Sequence, residues 1–363
     1  MQTDFLEAAY RLKDLANQAL EAQKTEWVTL FEMAFTSAMA TSATVPISFK
    51  LIPKAHLPPS LASNDHLLVH LSRRGVVVQA ALEFVARPVA DLRRLPLAGA
   101  LLSRIAGELP DGQTFQLIFD IGDGAEEGAY PRIAFSSARA NSVLVPDPYF
   151  FFNDNNAFYR AYAAQHAKPW RQRRETLFWR GGSGGVRLVP PDPQNPRNWS
   201  CQQRTLLCQA ARDSSHTDRL DIGLSHANTI PEAYLRESLA QEGFLKPEVP
   251  KLEFFEYRHL IDIDGWTNAW SLLDKMIGGA TILKVQSAFG YRQWFYDRLT
   301  AWENYIPIAA DLSDFDEAVA WVYAHPQECE EIAAKAAQAA EETQLLPDLA
   351  FAARAALAIM TPL

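Results

Sequence analysis

Cysteine is nearly absent from this chain. Its 363 residues hold three, Cys201, Cys208 and Cys329, an odd count with no Cys-x-x-Cys. That leaves no disulfide framework, and reduced thiols in a cytoplasmic protein are the simplest expectation. Long apolar runs are missing too, since no window approaches the roughly 20 residues a membrane-spanning helix needs. Positive charge is scarce: 34 Lys and Arg face 43 Asp and Glu, for a net charge of −9. Nucleic acid is therefore not the expected main partner, because phosphate backbones demand clustered cations. A local basic pocket for a nucleotide diphosphate stays compatible with that balance. Residues 1–23 lack the apolar core that follows a basic start in a secretory leader, and read as a charged amphipathic helix. Of eight histidines, His66 and His70 alone show H-x-x-x-H spacing. That stretch reads as a strand, which sets them about 13 Å apart, too far to share one metal. No histidine is assigned a role.

What is present is the composition of a globular protein, 48% hydrophobic and 21% charged, long enough for two domains. The chain is organised around residues 254–307, which read as strand, loop, helix, strand, loop and helix. HLIDI (259–263) has the short apolar run of a buried strand and ends on Asp264-Gly265. A helix over 270–277 stops at Gly278-Gly279, and ATILKV (280–285) is a second β-branched strand carrying Lys284. Such a βαβ unit gathers binding groups in the loops after its strands, here 264–268 and 284–292. Upstream, FQLIFDI (115–121) is a buried strand ending in Gly122-Asp123-Gly124. The basic stretch 168–174 reads as a linker, one that also has the charge to touch anionic lipid. Expected domains are 1–170 and 171–345, with a closing helix in 346–363 that packs back on the first.

The motifs that carry a resemblance run in order from about residue 120 to about 340. They are Phe178-Trp179-Arg180-Gly181-Gly182-Ser183, Tyr257-Arg258-His259-Leu260 with Ile261-Asp262-Ile263-Asp264-Gly265, Gly279-Ala280-Thr281-Ile282-Leu283-Lys284, and Trp294-Phe295-Tyr296-Asp297-Arg298-Leu299 with 302–307. Together they resemble the family-90 glycosyltransferases, bacterial lipopolysaccharide-modifying enzymes and eukaryotic protein O-glucosyl- and O-xylosyltransferases among them. The first hundred residues carry little of the likeness. The resemblance implies a GT-B-like α/β fold, with two Rossmann-like domains facing across a cleft. It also implies a UDP-sugar donor and a single inverting displacement.

Each candidate site has a plainer alternative. A strand-end carboxylate such as Asp120 or Asp123 can take a proton from an acceptor hydroxyl, or simply cap its own loop. The resemblance favours Asp123 as the base. The run Arg180-Gly181-Gly182-Ser183-Gly184-Gly185 suits a diphosphate approached closely by backbone N–H groups, or a flexible turn; it is not a P-loop. By resemblance, Arg180, Gly181, Gly182, Ser183 and Arg204 bind the donor diphosphate. Asp264, Gly265, Trp266, Thr267 and Asn268 are the candidates for direct donor contact. Ser271 stands where eukaryotic members carry an arginine, so Lys284 or Arg292 would supply that charge; Lys284 is equally a snorkelling strand lysine. The aromatics of 294–302 stack on sugar or base, or pack a helix. Asp262 and Asp264 form a D-x-D that holds Mn²⁺ in other transferases, or else bond loop groups.

The expectation is an inverting glycosyltransferase with no cofactor, moving a sugar from UDP to a hydroxyl of a surface glycan such as lipopolysaccharide. Its partners would be the UDP-sugar and a saccharide acceptor, lipid-linked or not, with no nucleic acid and at most peripheral membrane contact. It would work in the cytoplasm or at the inner face of the inner membrane. The alternative is a sugar-nucleotide- or glycan-binding protein of the same fold that has lost catalysis.

Overall fold

The computed structural model describes residues 2–22, 26–58, 61, 65–86, 92–124 and 131–363. Its contacts divide the chain into two compact units, Met1–Asn155 with Leu345–Leu363, and Asn156–Gln344. No described helix is long and apolar enough to cross a membrane.

The first unit opens with helices α1 (Gln2–Glu21) and α2 (Trp27–Ala40). Its strands are β1 (Ile47–Ile52), β2 (His66–Ser72), β3 (Gly75–Ala81), β4 (Thr114–Asp120), β5 (Arg132–Ala134) and β6 (Ser142–Leu144). They lie in the order β1-β3-β2-β4-β5-β6. This sheet departs from the expected Rossmann pattern, because β2 runs antiparallel to both β3 and β4. The cause is local: Arg73-Arg74 is too short a connection for anything but a hairpin, closed at Ser72 opposite Gly75. Helix α3 (Arg94–Gly107) is buried nearly all round, as suits a helix held between layers. Pro96 sits in its first turn, where a missing N–H costs nothing. A Cβ at Gly99 would lie 2.0 Å from the Met39 carbonyl oxygen, so glycine sets how closely α2 and α3 approach. Helix α4 (Pro148–Phe152) is capped by Asp147, whose side chain accepts from the Phe150 N–H.

The second unit holds a five-stranded, wholly parallel sheet. Its strands are β7 (Arg174–Gly182), β8 (Leu220–His226), β9 (Tyr257–Asp262), β10 (Thr281–Val285) and β11 (Ile306–Ile308). They are ordered β11-β10-β9-β7-β8. Counted from β7, this is the doubly wound order 2-1-3-4-5, whose ligand crevice opens where the winding reverses, between β7 and β9. The helices of this unit are α5 (Ala157–His166), α6 (Gln203–Asp213), α7 (Ala233–Gln241), α8 (Leu272–Ile277), α9 (Phe315–Ala324) and α10 (Pro326–Glu342). One sheet face carries Leu177, Trp179, Ile261, Ile263, Leu283 and Val285 into a core shared with α6, α7, α9 and α10. By strand alternation, Phe178, Arg180, Asp262 and Lys284 belong to the other face.

Two local readings are corrected. No α-helix covers residues 294–302; there is one 3₁₀ turn, Tyr296–Arg298. Asn304 ties that loop, donating to the Arg298 carbonyl and accepting from the Thr300 N–H, and Trp302 adopts a left-handed φ of 66°. The basic stretch 168–174 is no linker but part of the second unit: Lys168 pairs with Glu256, Arg171 with Glu330, and Trp170 is buried. Arg173 donates to the Gly278 and Gly279 carbonyls at the end of α8, where a cation suits the helix dipole.

After Gln344 the chain returns to the first unit as α11 (Leu345–Leu357), and β12 (Thr361–Pro362) pairs antiparallel with β4.

Candidate functional site

The winding reversal between β7 and β9 dictates where to look, and the sequence fills that place with chemistry. Beyond β7 comes the glycine run, beyond β9 the stretch from Asp264 to Asn268, and over both stands the first turn of α6. Arg204, in that turn, is the tie. Its Nη1 donates to the Gly182 carbonyl at 2.8 Å and its Nε to the Asp264 carbonyl at 2.8 Å. A Cβ on Gly265 would stand 2.9 Å from Arg204 Nη2, so glycine is what admits the guanidinium here. Burial pulls the Arg204 pKa down to about 10, against the pull of Asp264 and Asp262. It remains a cation at neutral pH.

A cavity of about 280 Å³, counting its open mouth, lies against this tie. Gly185, Val186, Gln203, Arg204, Asp264 and Trp266 line it, with Phe289 and Tyr291 from the loop after β10. Trp266 and Phe289 are about half exposed, so two large rings face outward. Asp264 is 6% exposed and its Oδ1 has no hydrogen-bond partner in the protein. Burial pushes its carboxyl up to about 6, although Lys284 and Ser287 pull the other way. Ser183 is fully buried and shares a 2.7 Å hydrogen bond with Thr229, which fixes the turn after β7. Asn268 donates to the Tyr291 carbonyl, joining the two loops, and the Thr267 carbonyl accepts from the Gly265 N–H.

Asp262 has a different role from its neighbour. Lys275 Nζ lies 2.8 Å from its Oδ1 and Lys284 Nζ 3.2 Å from its Oδ2, all three side chains being buried or nearly so. Burial alone would raise the Asp262 carboxyl, but the two ammoniums override it and hold it below the ordinary range. Lys284 also meets the Tyr296 hydroxyl at 3.2 Å. Its pKa is raised, since Tyr296, Asp262 and Asp264 outweigh burial. Both oxygens that a D-x-D metal site would need from Asp262 thus already face cations. Among the described residues no group of three or more His, Cys, Asp or Glu is clustered to hold a metal ion.

Not every sequence candidate reaches the cavity. Arg180 projects from the opposite face of β7 to Trp179, with Nη2 2.8 Å from Asp221 Oδ1, and Lys246 holds the same oxygen at 2.8 Å. Arg292 is exposed and paired with Asp297. Sequence reading placed Phe289 and Tyr291 only within the binding loop 284–292, and named neither Gln203 nor Lys275. Gln203 opens α6 beside Arg204, which the sequence reading did name.

In the first unit, Asp123 is half exposed, and Arg94 Nη2 lies 2.5 Å from its Oδ1 while Arg94 Nη1 donates to the Ile121 carbonyl. Asp120 is buried instead: its Oδ1 accepts from the Gly122 N–H at 2.8 Å, and its Oδ2 lies 3.4 Å from His66 Nε2 and 3.8 Å from Arg132.

The model of Glycosyl transferase family 90 matches residues 99–346. The chain belongs to that family. Among relatives, this family-90 chain is 29% identical over 187 residues to Protein O-glucosyltransferase 2 of Danio rerio, covering 51% of this chain and 32% of that protein. It is 28% identical over 179 residues to Uncharacterized protein 179R of Invertebrate iridescent virus 6, covering 46% and 15%. With human Protein O-glucosyltransferase 3 it shares 35% over 81 residues, covering 22% and 16%. These alignments span a third or less of each curated relative. Among solved structures, WaaG, a glycosyltransferase involved in lipopolysaccharide biosynthesis, matches with a TM-score of 0.31 and 13% identity. That match covers 54% of this chain and 49% of WaaG.

Proposed function

We propose that this family-90 chain is a GT-B-type inverting transferase that moves a sugar from a UDP-sugar to a saccharide hydroxyl of a surface glycan such as lipopolysaccharide. The observation that carries the reading is the cavity at the winding reversal of a parallel sheet, lined by Asp264 and Gly265 of the family motifs and closed by Arg204. In this reading the first turn of α6, Arg204 and the turn from Gly181 to Gly185 face the diphosphate, whose charge grows as the sugar departs. Lys284 adds a cation from behind. Asp123 takes the proton of the acceptor hydroxyl. With Asp262 held by two lysines, departure of UDP is assigned to these fixed groups and not to a divalent ion. The place of work is the cytoplasm or the inner face of a membrane.

Calorimetric titration of the full chain with UDP, UDP-glucose and UDP-xylose, in EDTA and again with Mn²⁺, tests this. Binding in EDTA supports it. Binding that requires Mn²⁺ sinks the metal-free assignment, and no binding in either condition sinks the donor reading altogether.

A further inference from the structure

One atom in the cavity asks for a ligand of particular chemistry, and the inference from it rests on the donor reading above. Asp264 is buried to all but 6% of its surface, lines the cavity, and has no donor for Oδ1 within the protein. A buried carboxylate oxygen left so carries the full desolvation cost of a charged acceptor, unless something outside the protein donates to it. That donor is an O–H or N–H group and not a phosphate, whose oxygens a carboxylate repels.

Position selects between the two. Asp264 is bonded through its carbonyl to Arg204, the cation of the cavity, and stands two residues from Trp266, the exposed ring at its mouth. Phe289 and Tyr291 complete the aromatic side, and Asn268 holds their loop in place. A cation, a buried acceptor and aromatic rings therefore line one cavity. A nucleoside diphosphate carries a group for each: anion, hydroxyl-bearing sugar, flat base. We propose that Asp264 Oδ1 accepts a hydrogen bond from one ribose hydroxyl of the donor. The base then lies on the rim of Trp266, Phe289 and Tyr291, and the diphosphate points to Arg204 and the glycine turn. The arrangement selects ribonucleotides over their deoxy counterparts.

The test is calorimetry on the full chain with UDP, 2′-deoxy-UDP, 3′-deoxy-UDP and N3-methyl-UDP, for wild type and Asp264→Asn. One deoxy analogue should bind wild type roughly 10- to 100-fold more weakly than UDP, the range for losing a hydrogen bond to a charged group. In Asp264→Asn that ratio should collapse to within about 3-fold, a coupling that a merely structural role would not produce. Equal binding of UDP and both deoxy analogues by wild type overturns the assignment and leaves the donor reading standing, with no variant needed. So does a discrimination that persists in Asp264→Asn. Loss confined to N3-methyl-UDP moves the acceptor to the base and also overturns it. Failure of wild type to bind UDP overturns donor reading and assignment together.

Discussion

Lys275 Nζ lies 2.8 Å from Asp262 Oδ1 beneath the candidate site, both side chains sealed from solvent. A buried pair like this is costly to break from one side, because the surviving charge is stranded. Lys275→Met should destabilise the second unit by about 3–5 kcal/mol, read by urea unfolding. The linked pH effect has a definite sign. The folded Asp262 carboxyl lies below its ordinary value, so its stabilising contribution is present at neutral pH and lost as pH falls through the acid range. Acid unfolding should begin at higher pH in Lys275→Met than in wild type.

Asp264 predicts the opposite sign. Its folded carboxyl is raised to about 6, so the ionised form is disfavoured by folding. That contribution to stability is intact below about pH 4 and lost as pH rises through about 6. Asp264→Asn should therefore be more stable than wild type by about 1–3 kcal/mol at pH 7.5, because each pH unit between the ordinary and the folded value is worth about 1.4 kcal/mol. The gain should shrink at pH 5. Paired urea titrations at the two pH values decide it. A gain in stability with a loss in ligand affinity is the mark of a group held for function.

Arg204 and Arg180 should part company. Arg204→Ala unties Gly182 from Asp264 and is expected to weaken UDP binding at least 10-fold. Arg180→Ala removes a partner of Asp221 on the far side of the strand, where Lys246 stays in place. It should lower the melting temperature while leaving UDP affinity within about 3-fold. Equal losses from both would place the diphosphate elsewhere.

Asp123→Asn should lower kcat by about 100- to 10,000-fold, the span of a lost general base, with the dissociation constant for UDP unchanged. Asp120→Asn should cost stability instead, since that buried carboxylate accepts from the Gly122 N–H and faces His66 and Arg132. If Asp120 were the base, the kinetic effects would be exchanged.

The second unit was legible in the sequence because its strands are short apolar runs punctuated by Asp-Gly and Gly-Gly, the marks of parallel strands and helix stops. The strand order of the first sheet was not: the hairpin at Arg73-Arg74 is local and readable, but the rest depends on pairings across more than forty residues, His66 with Asp120 among them. Within the site, Asp264 and Arg204 could be named from sequence. What each side chain faces could not. Arg180 lies next to Trp179 in sequence, yet strand alternation sends it to the other face, and Lys275 declares itself only when α8 is laid over Asp262.

The return of α11 and β12 to the first unit has a consequence for how the chain is made. Residues 156–344 form one continuous segment and have all their own strands when Gln344 has been added. The first unit then still lacks the helix that covers α3 and the strand that pairs with Phe115 and Gln116. At the crossing, Asp154, Asn155 and Asn156 are all left-handed, and the Asn155 side chain accepts from the Leu345 N–H. During synthesis the unit of residues 156–344 is therefore the one able to finish first, while the first unit waits for residues 345–363.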